Sequence, residues 1–168
     1  SYTLGIPNKE VRVGLMDNML PTLSQKGSTE NSSLILKLYS AFSKGDYRAF
    51  FETLTSYMAG IPYPEAGEEL KRKECFYETI IYVVFSMLNR YVQTQVKTAR
   101  GRVDILINTS DAIYVMELKV DATAKEALDQ INEKQYTLPY YSDSKKIVKL
   151  GISFSSRTRT IEDWIVEE

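Results

Sequence analysis

Apolar residues recur at helical spacing in the first half of this chain and at strand spacing in the second. After an extended start over 1–9, broken by Gly5 and Pro7, residues 11–23 read as a helix with Pro21 near its end. Leu34, Leu38 and Phe42 keep helical spacing, with Ser32 or Ser33 as the cap and Lys44-Gly45 as the stop. Asp46 is placed to cap a further helix, whose inner face is Phe50, Leu54, Tyr57 and Met58. Pro62 and Pro64 mark a loop over 60–67, and a long helix is predicted over 68–91. Ile80, Val83, Val84, Met87 and Leu88 form its apolar stripe, which reads as core rather than as a cofactor surface.

The period then changes. Val92, Thr94 and Val96 alternate with Gln93, Gln95 and Lys97, the pattern of a half-buried strand. Two apolar runs follow, Gly101-Arg102-Val103-Asp104-Ile105-Leu106-Ile107 and Val115-Met116-Glu117-Leu118-Lys119-Val120, with Ser110-Asp111 between them as a turn. Residues 121–136 are predicted to be helical, with Ala124, Ala127, Leu128 and Ile131 facing in, Asp121 or Thr123 as the cap and Leu138-Pro139 as the stop. Residues 147–154 form the most apolar late strand and 160–166 an edge strand. Helix, three strands, helix and strand in that order predict an α/β fold, a central mixed sheet flanked by helices.

Charge on the two apolar runs is the candidate chemistry. A buried, unpaired charge costs several kcal/mol, so Asp104, Glu117 and Lys119 need a reason to be there. If the turn makes an antiparallel hairpin, facing positions sum to 221 and Asp104 lies opposite Glu117, with Cβ atoms about 5 Å apart. Glu117 and Lys119 share one face of their strand. Two opposed carboxylates suit a hard cation such as Mg²⁺ or Mn²⁺, and the lysine would stabilise developing negative charge or help position a water. The same residues also fit a plainer arrangement, in which Asp104 caps a strand end and Glu117 and Lys119 line the solvated face of an edge strand. Spacing alone leaves both open.

Composition narrows the chemistry. The chain has 168 residues, enough for one domain with a sizeable core, and its 43% hydrophobic and 26% charged residues are ordinary for a globular protein. With no histidine, imidazole-ligated zinc sites, Ser-His-Asp triads and histidine acid–base catalysis are excluded. Cys75 is alone, so it forms no intrachain disulfide, and the context reads cytoplasmic. No apolar run is long enough to span a membrane. The net charge of −1 argues against nonspecific nucleic-acid binding over the whole surface. It leaves room for a local basic face among Lys97, Arg100, Arg102, Lys145, Lys146, Lys149, Arg157 and Arg159. The 12 tyrosines suit an interaction module, and a homodimer through Tyr140 and Tyr141 or through the edge strand is a further expectation.

Asp104, about a dozen residues, then Glu117-x-Lys119 resembles the PD-(D/E)XK nuclease superfamily, with Val103 where the superfamily name has proline. Together with Gly101-Arg102-Val103, Gln130-Ile131, Tyr136, Ile152-Ser153-Phe154-Ser155 and Ile161-Glu162-Asp163-Trp164, the ordered set is similar to a nuclease-like C-terminal domain found behind an AAA-type ATPase-like domain in bacterial proteins. The resemblance implies a restriction-endonuclease-like core over 68–168, extra N-terminal helices over 13–67 and an interdomain junction over 1–12. It implies that Asp104 and Glu117 bind Mg²⁺ or Mn²⁺, with Glu74 or Glu78 as a helical addition to the metal site. It further implies that Lys119 is catalytic, that Gln130 and Tyr136, on the following helix, hold the lysine or a phosphate, and that the substrate is DNA. Its alternative is a module that keeps the fold without turnover, binding nucleic acid or protein in service of the ATPase-like neighbour.

Overall fold

The computed structural model describes residues 28–60, 80–84 and 91–168. The expected helix at 11–23, the junction segment, Cys75, Glu74, Glu78 and most of the helix expected over 68–91 lie outside them.

Two helices open the described chain, α1 (Ser28–Ser43) and α2 (Tyr47–Met58). Ser32 and Ser33, expected as caps, lie inside α1, whose first turns are polar residues that the helix tolerates. Asp46 caps α2 as expected, its side chain accepting the Ala49 N–H at 3.0 Å. Residues 80–84 are helical and bury Ile80, Ile81, Val83 and Val84.

Five strands follow: β1 (Tyr91–Thr98), β2 (Gly101–Asn108), β3 (Ala112–Val120), β4 (Lys146–Ser155) and β5 (Thr160–Glu167). Tyr91 opens β1 and pairs with Asn108, so the helix expected to run through it ends earlier. Helix α3 (Ala124–Glu133) joins β3 to β4, which are parallel, while every other neighbouring pair is antiparallel. The sheet order is β1-β2-β3-β4-β5, a mixed sheet with β5 at one edge, as expected.

The β2–β3 register is the one that the turn predicts. Ile105 pairs with Met116, Leu106 with Val115, Ile107 with Tyr114 and Asn108 with Ile113. Thr109 holds the turn, its hydroxyl accepting the Ala112 N–H at 3.0 Å. Both faces of the central strands β2, β3 and β4 are largely buried, which is why these strands read as nearly continuous apolar runs. On one face Met116, Leu118, Leu150, Ile152 and Phe154 pack with α1, α2 and residues 80–84. On the other, Val103, Leu106, Ile113 and Val115 pack with Leu128 and Ile131 of α3 and with Tyr136.

Helix α3 is shorter than the 121–136 expected. Thr123 is its cap, in a reciprocal capping box with Glu126. Asp121 instead takes a left-handed conformation (φ +56°) and accepts the N–H and hydroxyl of Ser156, tying the end of β3 to the end of β4. At the other end Gln135 is left-handed (φ +50°) and the Tyr136 N–H donates to Ile131 O at 3.1 Å, a helix-closing bond. Tyr136 therefore lies in the turn beyond the helix rather than on it. Leu138-Pro139, expected as the stop, falls in a separate short 3₁₀ helix, Leu138–Tyr140.

Candidate functional site

The site lies on the α3 side of the sheet, where β2 and β3 run side by side. Asp104, one residue before the last β2–β3 pair, is partly buried. Its Oδ2 accepts the Leu118 backbone N–H at 3.0 Å and its Oδ1 accepts Gln95 Nε2 at 3.3 Å. Burial raises the Asp104 pKa above the ordinary carboxylate value, while the Leu118 N–H, Lys119, Gln95 and Arg102 pull against it.

Glu117 is only 3% exposed. Burial first, and then the nearby Asp104 charge, push its pKa up to about 8, with Lys119 opposing. Gln130 Nε2 donates to Glu117 Oε1, and Gln130 Oε1 accepts Lys119 Nζ at 2.5 Å. An ammonium only donates, so the amide turns its oxygen to Lys119 and leaves its NH₂ to face Glu117. Lys119 Nζ stands 4.0 Å from Glu117 Oε1, joined to it mainly through the amide. Glu117 Oε2 is buried with no hydrogen-bond partner.

Two glutamines complete the arrangement, each by a long-range device. Gln130 reaches the sheet because Gly151, paired with Glu117 across β3–β4, lets α3 settle close: a Cβ there would lie 2.2 Å from Ala124 O and 2.7 Å from Leu128 N. Gln95, which sequence reasoning missed, sits in β1 with φ +53°, a conformation non-glycine residues seldom adopt. Ladder pairs Thr94–Ile105 and Val96–Val103 flank it, so it stands across from Asp104 where the strand conformation is interrupted. The only sequence signal was a polar residue on an alternating strand, which an exposed face explains equally well.

The structure thus brings together Asp104, Glu117, Lys119 and Gln130. Tyr136 forms no hydrogen bond to any of them: it is 3% exposed and packed in the α3-side core with its ring against Gly101. Among the described residues no group of three or more His, Cys, Asp or Glu is placed to hold a metal. The two carboxylates and the orphaned Glu117 oxygen fit a hard cation that keeps part of its water shell, since leaving a buried acceptor unsatisfied costs about 1–3 kcal/mol.

The family model of the PD-(D/E)XK nuclease superfamily matches residues 72–164, more than half of the chain. The chain belongs to the PD-(D/E)XK nuclease superfamily. The matched span takes in Asp104 on β2, Glu117 and Lys119 on β3, and also Gln130, Tyr136, Glu74 and Glu78. The mixed five-stranded sheet with flanking helices is consistent with its restriction-endonuclease-like fold. An uncharacterised protein in the vnfD 5′ region of Azotobacter chroococcum mcd 1 is 28% identical over 170 residues, which cover 99% of this chain and 33% of that protein. The chain therefore spans about a third of the length of this relative. No solved structure matches. No helix among the described residues is long and apolar enough to cross a membrane.

Proposed function

We propose that this is a metal-dependent nuclease domain that hydrolyses phosphodiester bonds, with DNA as substrate. The observation that supports it most directly is the buried Glu117 Oε2, left without a donor beside Asp104 and next to a positioned lysine. Asp104 and Glu117 would hold Mg²⁺ or Mn²⁺, oxygen ligands for hard cations. A bound ion supplies Lewis-acid polarisation of the phosphate and a water acidic enough to attack it. The Leu118 N–H and Gln95 hold the Asp104 carboxylate in place. Gln130 orients Lys119, whose ammonium would stabilise negative charge growing on the phosphate. The proposal extends to an adjacent AAA-type ATPase-like domain as partner, which rests on the resemblance of the ordered motif set to a domain found behind such a neighbour.

A second reading has its own support. The Lys119–Gln130–Glu117 chain satisfies the lysine without any cation, as a module that binds nucleic acid without cutting it would need. Incubating the chain with supercoiled, linear and single-stranded DNA in Mn²⁺ or Mg²⁺ separates the two. The nuclease reading expects cleavage that Lys119→Ala abolishes while calorimetric Mn²⁺ binding persists. Equal cleavage by Lys119→Ala sinks this mechanism, and nucleic-acid binding without cleavage of any substrate favours the second reading.

A further inference from the structure

Eight basic residues outside the site looked alike in sequence, and the topology sorts most of them. Lys145, just before β4, and Lys146 and Lys149 on it lie toward the far end of the sheet or are engaged. Lys146 pairs with Ala112 at the start of β3 and bonds Glu168 at 2.5 Å; Lys145 Nζ donates to Asn108 at 2.6 Å; Lys149 bonds Glu167 at 2.6 Å. Ala112 and Lys119 are seven positions apart along β3, about 23 Å. The antiparallel pairing of β2 with β3 brings the opposite group, on the β1–β2 turn, to the Lys119 end.

That turn carries Lys97, Arg100 and Arg102 with no acidic residue among positions 97–102. All three are exposed, and none forms an ion pair among the described residues. Lys97 and Arg102 are direct cross-strand partners, and like charges placed opposite each other destabilise a sheet. Nothing in the turn offsets that repulsion, whereas an anion lying over the pair would. The turn is also held firmly. Gly101 (φ +149°) rests on the buried Tyr136, whose hydroxyl would lie 2.8 Å from any Cβ added there. Arg102 stands two positions from Asp104 along β2, which places this charge beside the site.

We propose that the β1–β2 turn is a clamp for the phosphodiester backbone of nucleic acid, in which Lys97, Arg100 and Arg102 grip phosphates next to the Asp104–Glu117–Lys119 site. The identity of the ligand as nucleic acid, rather than another polyanion, rests on the nuclease reading. Tyr136 and Gly101 act as its support, which gives the buried tyrosine a role away from the chemistry.

The test is binding of a fluorescein-labelled DNA duplex by anisotropy, in chelator and without divalent metal, across a salt series. Each phosphate neutralised contributes about −0.9 to the slope of log affinity against log salt. The Lys97→Ser/Arg100→Ser/Arg102→Ser protein should bind at least about 10-fold more weakly near 50 mM salt, with a slope shallower by about 2 to 3. Lys145→Ser/Lys146→Ser should match the parent, and unchanged thermal melting and Mn²⁺ calorimetry of the triple variant show that fold and site survive. The clamp is overturned if the triple variant keeps the parent's affinity and slope, if the parent shows no salt-dependent DNA binding, or if polyglutamate competes as well as unlabelled duplex. Cleavage in Mn²⁺ is scored separately. A parent that cuts DNA while the triple variant binds normally loses the clamp alone, and a parent that binds through the turn but never cuts loses the nuclease reading alone.

Discussion

Asp104 Oδ2 accepts the backbone N–H of Leu118 at 3.0 Å, so the first carboxylate of the site is anchored to the strand that carries the second. Asp104 is both a structural acceptor and a candidate ligand, and the two roles separate by substitution. Asparagine keeps an oxygen for the Leu118 N–H and removes the charge. Asp104→Asn should stay within about 1 kcal/mol of the parent in denaturant titration. Its Mn²⁺ affinity by calorimetry should fall at least about 10-fold. Retained affinity would show that Asp104 is not a ligand.

Glu117 makes stability depend on pH with a definite sign. Its pKa is raised from 4.5 to about 8, so across that window the folded chain keeps a proton that the unfolded chain has released. Stability from this group is therefore fully present at the acid end and lost as pH rises through about 8. Asp104, also raised by burial, acts in the same direction. In metal-free buffer the parent should lose a few kcal/mol relative to Glu117→Gln between about pH 5 and 9. Mn²⁺ affinity should climb over the same range, because the ligand must shed its proton. Stability differences that stay flat with pH would count against a buried, proton-holding Glu117.

Gln95 tests whether backbone strain is stored beside the site. A left-handed non-glycine residue costs about 1–3 kcal/mol, which glycine would relieve. Gln95→Gly should therefore melt at or above the temperature of Gln95→Ala, which keeps the strain while losing the bond to Asp104. Both should weaken Mn²⁺ binding by about 10-fold, since both remove a group that orients the carboxylate. A glycine variant less stable than the alanine variant would refute the strain.

Gly151 sets how closely α3 approaches the sheet. Its added Cβ would meet the backbone of α3, which cannot swing away as a side-chain tip can. Gly151→Ala should cost about 3 kcal/mol in denaturant titration. Because a displaced helix withdraws Gln130 from Glu117 and Lys119, cleavage should fall further than in a variant of equal stability loss elsewhere, such as Leu54→Ala in α2.

Much of this protein was legible locally. The Asp46 cap, the β2–β3 turn and its register, the inward face of α3 and the edge position of β5 follow from short-range rules, because capping, turn chemistry and side-chain period act over a few residues. That register was enough to set Asp104 against Glu117 on paper. Helix ends were less legible: α1 starts before Ser32, and α3 stops before Tyr136 because a left-handed Gln135 closes it. Only the tertiary structure decided which glutamines bond the carboxylates and lysine, that Tyr136 is buried in the core on the α3 side, and which basic residues lie at the Lys119 end of the sheet. Each depends on contacts across strands or between helix and sheet, and no local pattern encodes how closely Gly151 lets a helix approach or which end of the sheet a turn will reach.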